Sequence, residues 1–374
     1  MIMSNTPLHG LKVVELARIL AGPWAGQTLS DLGATVIKIE SSEGDDTRQW
    51  GPPWVDTDGD QAAAYFHACN RGKQSVVADL KTEEGQTLVK SLVQDADVLI
   101  ENFKVGGLTQ YGLDYPSLAA DNPKLVYCSI TGFGQDGPYK DRAGYDFMIQ
   151  GMSGIMDLTG EPDGQPQKIG VAFADIFTGL YSVVAIQAAL QMREKTGLGQ
   201  HIDMSLFDCM TGVLANQALN FLTSGSSPTR MGNKHPNIAP YQTFSTSDGH
   251  LIVAVGNDSQ FTRLCKLLSL EILSDDERFN TNESRVLHRD ELETLLSKSI
   301  LTWKRDDLLA ALEKAVVPAG PINSVADAFS DPQFVARGMQ IEPDGIPGVK
   351  TPIKFSDATL ATDKRSPKLG EHNS

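Results

Sequence analysis

Cysteine is scarce and scattered: Cys69, Cys128, Cys209 and Cys265 form no CxxC pair in 374 residues. That spacing indicates neither a disulfide framework nor a zinc site, and the thiols read as buried residues of a reducing compartment. The seven histidines, among them His67, His201, His235 and His250, make no HExxH or other ligand spacing, so no metal is expected. Positive charge is in deficit, with 32 Lys and Arg against 47 Asp and Glu and a net charge of −15. A nucleic-acid partner needs a basic face, so none is expected. A small anionic ligand needs only a few local cations and helix N-termini. The N-terminal stretch MIMSNTPLHG has no apolar signal core or Arg-rich amphipathic pattern, and no later segment approaches a transmembrane run. The expectation is a cytoplasmic protein with no membrane partner.

Common catalytic signatures are missing too. No GxxxxGK[ST] loop is present, which leaves ATP-driven phosphate chemistry without a motif. The first strand-helix turn reads AGPWAG instead of GxGxxG, and Pro23 sits where a pyrophosphate would need close backbone approach. Ser153 in GMSGI falls one position short of a GxSxG elbow, because Ile155 stands at the second glycine position.

What is present is an ordinary globular composition, 41% hydrophobic and 21% charged with 34 Gly, on a chain long enough for one large domain and a smaller one. Short apolar strands at LKVVEL (11–16), ATVIKIE (34–40), SVVADL (75–80), DVLIENF (97–103) and KLVYCSI (124–130) alternate with helical stretches. The long helix after Asp175 then leads to QHIDMSLFD (200–208). Such alternation predicts a parallel sheet covered on both faces. The Gly-, Ser- and Pro-rich FLTSGSSPTRMGNKHPN breaks the pattern, and YQTFSTSDGHLIVAVG beyond it reads as a hairpin turning at SDG. The expected organisation is an α/β domain over 1–222, a linker over 223–236, a smaller α+β domain over 237–325, and a segment over 326–374 returning to the first domain.

Three places concentrate polar chemistry. Asp175 precedes the apolar run of VAFADIFTGLYSVVAIQAAL, where it reads as an N-cap and equally as a carboxylate held ionised and oriented at the positive end of a helix dipole. Arg71 and Lys73 in CNRGKQS read either as a solvated turn or as an anion-binding pair beside a strand end. The stretch GYDFMIQGMSGIMDLTG (144–160) is either a helix-turn on the core or a place where backbone approaches a ligand.

Taken together these pieces resemble the class III CoA-transferase family, also called the CaiB/BaiF family. The resemblance runs from Leu8 to His372 and rests on motifs in consistent order: LKVVEL with AGP (21–23), LGATVIKIE, NRGKQSVVADLK, ADVLIENF, SITGFGQDGP (129–138), GYD (144–146), ADIFTG (174–179), GLGQHIDMSLFD, NIAPYQTFSTSDG and LGEH (369–372). It implies a Rossmann-like large domain with a smaller α+β domain in an interlocked homodimer, and no tightly bound cofactor, coenzyme A being a substrate moiety. Asp175 would be the nucleophile, passing through a mixed anhydride and an aspartyl-CoA thioester before an acceptor carboxylate takes the CoA. Ala21, Ala78, Leu80, Lys81, Asn102 and Phe103 fall on positions that hold the nucleotide or pantetheine in relatives, and Tyr145 and Asp146 on positions beside the nucleophile. Two basic CoA-binding positions of relatives hold Gln110 and Ala143 here, leaving Arg71, Lys73 and Lys104 to meet the phosphates. Residues 256–260 align with a mobile glycine loop that shields intermediates. The neighbourhoods NKHPNIAPYQ and GYDFMIQ are similar to the branch using succinyl-CoA and small dicarboxylates. The family also holds α-methylacyl-CoA racemases, whose GHDxNY pattern has His where this chain has Tyr145.

Overall fold

The computed structural model describes residues 5–57 and 59–373. The chain divides into two compact units, one holding residues up to 155, 168–224 and 332 onward, the other 156–167 and 225–331. The sequence pattern assigns 156–167 to the large domain. In the structure that segment belongs to the second unit, because Gly232 N–H donates to Gly160 O at 3.1 Å and Arg230 pairs with Asp157 at 2.9 Å. The second unit likewise begins at 225, inside the stretch read as a linker, while Ala215–Ser224 is helical.

The first unit is built on a six-stranded sheet among the described residues: β1 (Lys12–Glu15), β2 (Thr35–Glu40), β3 (Gln74–Val77), β4 (Val98–Glu101), β5 (Val126–Thr131) and β6 (Gln200–Ser205). All neighbours are parallel, in the order β3-β2-β1-β4-β5-β6. Side chains alternate between faces along each strand, so Val13, Val36, Val98 and Val126 enter one core while Val14, Ile37, Leu99 and Tyr127 enter the other. Helices α1 (Ala21–Asp31) and α5 (Phe173–Thr196) cover the first face; α2 (Glu83–Gln94) and α3 (Tyr115–Asp121) cover the second. A further helix, α4 (Asp146–Met152), lies between β5 and α5 in the chain.

Among the described residues α5 is long and apolar enough to cross a membrane by length and composition, contrary to the expectation that no segment approaches such a run. Its apolarity comes from two uses of one helix. Ala174, Ile186 and Ala189 are buried in the sheet core, and Gly179 lets α1 approach so closely that a Cβ there would meet Ala21 O at 2.7 Å. Leu180, Tyr181, Val184 and Met192 are exposed on the remaining surface. Gly197, at φ +74°, ends the helix by donating its N–H to Arg193 O.

In the second unit β7 (Tyr241–Ser245) and β8 (His250–Ala254) form the antiparallel hairpin expected around SDG, and β9 (Ala319–Pro321) pairs with β8. Leu251 and Val253 pack against Phe261 and Leu264 of one helix, Leu292, Leu296 and Ile300 of a second, and Leu308 and Leu312 of a third. Each helix buries residues three or four apart.

Candidate active site

Strand order reverses at β1, with β2 on one side and β4 on the other, and connections diverge there to leave a crevice past the strands' C-terminal ends. A cavity of about 290 Å³ occupies that position. Its walls come from Arg18 to Ala21 after β1, Asn102 to Val105 after β4, Ile130 to Gly132 at the end of β5, the segment Lys140–Tyr145, and Asp175.

Asp175 is not the helix cap that its position suggests. α5 begins at Phe173 with Ala172 as N-cap, so Asp175 sits in the first turn. The capping bond comes from elsewhere: Asp146 Oδ1 accepts the Ala174 N–H at 2.8 Å. Asp146 Oδ2 accepts from Gln150 Nε2 at 2.8 Å, and Gln150 Oε1 in turn accepts the Ile169 N–H at 2.9 Å. This frees the Asp175 side chain. Burial, together with the nearby charge of Asp146, pushes its pKa up to about 7. The helix dipole therefore does not hold it fully ionised at neutral pH, as the sequence suggests. A poorly solvated carboxylate of this kind is a stronger nucleophile once it has lost its proton.

The cavity wall after β1 is held by buried charge. Ile19 adopts φ +73°, a strained choice for a β-branched residue, and donates its N–H to Asp45 at 3.2 Å. Lys38 Nζ donates to Ala17 O at 2.8 Å and pairs with Glu15 and Asp45 at 3.2 and 2.9 Å. Burial opposes the charge on Lys38, but Glu15, Asp45 and Glu40 outweigh it and leave the pKa above the ordinary lysine value. Next to it the Asn102 amide brackets Arg18, accepting its N–H at 2.9 Å and donating to its carbonyl at 2.7 Å.

The sequence profile of CoA-transferase family III matches residues 8–373. The chain belongs to that family. It is 60% identical over 98% of its length, and 94% of the relative's, to the succinate–glutarate CoA-transferase of Agrobacterium fabrum. It is 40% identical to the succinyl-CoA:glutarate CoA-transferase of Mus musculus, covering 99% of this chain and 85% of that one. A crystal structure of a CaiB/BaiF family protein from Brucella suis superposes with a TM-score of 0.89 at 71% identity, covering 99% and 98% of the two chains. The mixed α/β architecture with its large parallel sheet is that of the family.

In this family III chain the expected site residues fall into three groups. Ala21, Asn102, Phe103, Tyr145 and Asp175 line one cavity, and Asp146 braces it. Ala78, Leu80 and Lys81 follow β3 on the same edge of the sheet but are not on that wall. Ala78 is buried on the α2 side, Leu80 O accepts from Gln86 Nε2, and Lys81 is exposed. Arg71 and Lys73 are corrected outright as phosphate ligands, since both are buried in ion pairs. Arg71 binds Asp31 through two nitrogens at 3.1 and 2.5 Å and donates to Val349 O at 3.1 Å. Lys73 spends its three N–H groups on Glu15, Pro23 O and Asn70, each at 2.9 Å. The shielding loop read at 256–260 is a helix start instead: Asn257 caps Asp258–Leu267 by accepting the Gln260 N–H at 3.0 Å.

Lys104, named from the sequence, does line the cavity; Arg18, Lys140 and Arg142 join it there unforeseen. Their signal is positional, because each follows a parallel strand at the end where ligands bind. Glu101 is also unforeseen. It accepts the Phe103 N–H at 2.8 Å, and burial pushes its pKa up to about 7 against the lowering effect of a Ser129 hydrogen bond. Ser129 Oγ stands 2.9 Å from His201 Nε2 in an adjoining cavity of about 230 Å³.

Proposed function

We propose that this protein transfers CoA from succinyl-CoA to a second small dicarboxylate, with Asp175 as the nucleophile. The observation that carries the reading is a half-buried carboxylate on the first turn of α5, facing a cavity at the sheet's switch point, with no hydrogen bond to it among the described residues. The relatives named for succinate and glutarate supply the substrate class.

Ionised Asp175 attacks the thioester carbonyl; the C–S bond breaks, giving CoA thiolate and a mixed anhydride. The thiolate then attacks the Asp175 carbonyl, releasing succinate and leaving an aspartyl-CoA thioester. The acceptor carboxylate repeats the exchange: it displaces the thiolate to form a new anhydride, and the thiolate attacks the acceptor's acyl carbon, freeing Asp175. One thioester replaces another, so no ATP is consumed. A carboxylate needs no base to become nucleophilic, and a thiolate leaves without strong acid assistance. Asp146 raises the energy of the Asp175 charge, which favours its attack on an uncharged carbonyl. Backbone from Gly132 and the 143–145 segment lies on the same cavity wall, near where the tetrahedral oxyanions form, and one well-placed donor there is worth roughly 3 kcal/mol.

The active form in this reading is an interlocked homodimer. Support comes from the large apolar side chains left exposed, Tyr181 and Val184 of α5 and Leu219, Phe221 and Leu222 of the Ala215–Ser224 helix, which a partner subunit would cover.

The test is a screen of purified protein with succinyl-CoA and a panel of mono- and dicarboxylic acids, with mass detection of acyl-CoA products. Glutaryl-CoA formed without ATP is the expected result. No new thioester with any acid, together with α-proton exchange in a branched acyl-CoA, would replace this reading with the racemase one.

A further inference from the structure

The cations around the cavity are not equivalent. Arg18 is committed to Asp46 at 2.9 Å, and Lys104 and Lys140 carry flexible stems. Arg142 is fixed in another way. Its guanidinium carbon lies 4.5 Å from the centroid of the Tyr139 ring and 5.3 Å from that of Phe133. One ring of the platform is anchored, since Phe133 packs on the core cluster and sits 5.9 Å from the Phe207 ring, while Tyr139 is exposed. The loop bearing Arg142 is clamped to the end of β5 where Gly132 and Gly144 touch: a Cβ on Gly132 would stand 2.6 Å from Gly144 Cα. No carboxylate pairs with Arg142 among the described residues, whereas most arginines of this unit hold one.

A guanidinium oriented on aromatic faces and lacking an internal partner is a preformed receptor for an external carboxylate, which it grips through two parallel N–H groups. The transfer chemistry consumes one carboxylate of an acid at Asp175. A dicarboxylic acid leaves its second carboxylate ionised in the same small cavity, where a charge without a counter-charge is costly. We propose that Arg142 is the specificity-determining residue that receives this distal carboxylate, on the succinyl donor and on the acceptor alike. The proposal rests on the transferase reading.

The test is a competition: succinyl-CoA with equal glutarate and pentanoate, acids of equal chain length, and the ratio of glutaryl-CoA to pentanoyl-CoA read by mass. Arg142 is exposed on the wall, so Arg142→Gln lowers that ratio by roughly 10-fold, the scale of a lost hydrogen bond to a charged group. Arg142→Lys restores part of it. Affinity for free CoA, measured by titration calorimetry, stays within about twofold, which also shows that the variants are folded. An unchanged ratio overturns the proposal. So does weakened CoA binding with both acids slowed equally, which would place Arg142 on a CoA phosphate. A wild-type protein that makes neither product overturns the transferase reading as well.

Discussion

Two clusters of ionisable groups in the first unit are treated in opposite ways. Under the start of α1, Glu15, Lys38, Asp45 and Lys73 have side chains fully shielded from solvent, and each charge is matched by another within 3.2 Å. At the mouth of the crevice the charge beside Asp175 is that of another acid, Asp146, and no carboxylate pairs with Arg142 among the described residues. The first cluster has every charge met by an opposite one and holds backbone in place; the second has charge left over for a ligand. Burial alone would not separate them, since it acts on both. What separates them is whether the valence of each charge is already spent.

Asp175→Asn gives the sharpest break, because it keeps the shape and removes the nucleophile. Transfer should fall by roughly 10⁴-fold or more, in line with loss of a covalent nucleophile. Stability should move the other way. A carboxyl whose folded pKa is raised contributes stability that is full below the usual carboxylate range and is lost as pH rises toward about 7. The variant should therefore gain melting temperature over the wild type progressively from pH 4 to 7, with the gain level above that. A variant no more stable at pH 8 than at pH 4 would place Asp175 among the satisfied charges.

The satisfied cluster should show the reverse pattern. Lys38→Met strands Asp45 without its cation and leaves Glu15 with Lys73 alone, and breaking a buried pair from one side costs about 3–5 kcal/mol. Urea titration reads that loss. Because Lys38 also holds Ala17 O, the cavity wall at Ile19 should loosen, and CoA affinity should fall in whatever protein remains folded.

These clusters mark where the sequence could be read and where it could not. Alternating strands and helices were enough for five strands of the parallel sheet, because apolar runs and β-branched residues act locally; the sixth, Gln200–Ser205, is part-exposed and does not read as a strand. The motif order was enough for the family. Arg71 and Lys73 look like an anion site in CNRGKQS, but both precede β3 and meet acids on neighbouring elements, Asp31 of α1 and Glu15 of β1. Arg18, Lys104 and Arg142 come after β1, β4 and β5 and reach the open edge. A cation before a parallel strand and one after it look alike in composition; the topology decides between them. The cap of α5 was illegible for the same reason, since the capping acceptor, Asp146, lies 28 residues from the amide whose N–H it accepts.

A smaller effect sharpens the comparison at the acid pair. The pH profile of kcat/KM should rise through about pH 7 as free Asp175 ionises. Asp146→Asn keeps an oxygen for the Ala174 N–H and removes the second cause of the raised pKa, so the midpoint should shift toward lower pH. A midpoint that stays put would assign the inflection to another group.

Glu101 is that other group, and its variant carries the smallest expected change. Its pKa is also pushed up to about 7 by burial, yet it belongs with the satisfied charges, because its oxygens are occupied by the Phe103 N–H and the Ser129 hydroxyl. Glu101→Gln retains an acceptor for Phe103 and cannot titrate. The inflection in kcat/KM should survive it unchanged, with KM for succinyl-CoA altered less than about threefold, since Asn102 and Phe103 keep their places on the wall. If the inflection instead disappears in Glu101→Gln and stays fixed in Asp146→Asn, proton loss at Glu101 controls the cavity. Glu101, with Ser129 and His201 behind it, would then move from the structural side of the comparison to the functional one.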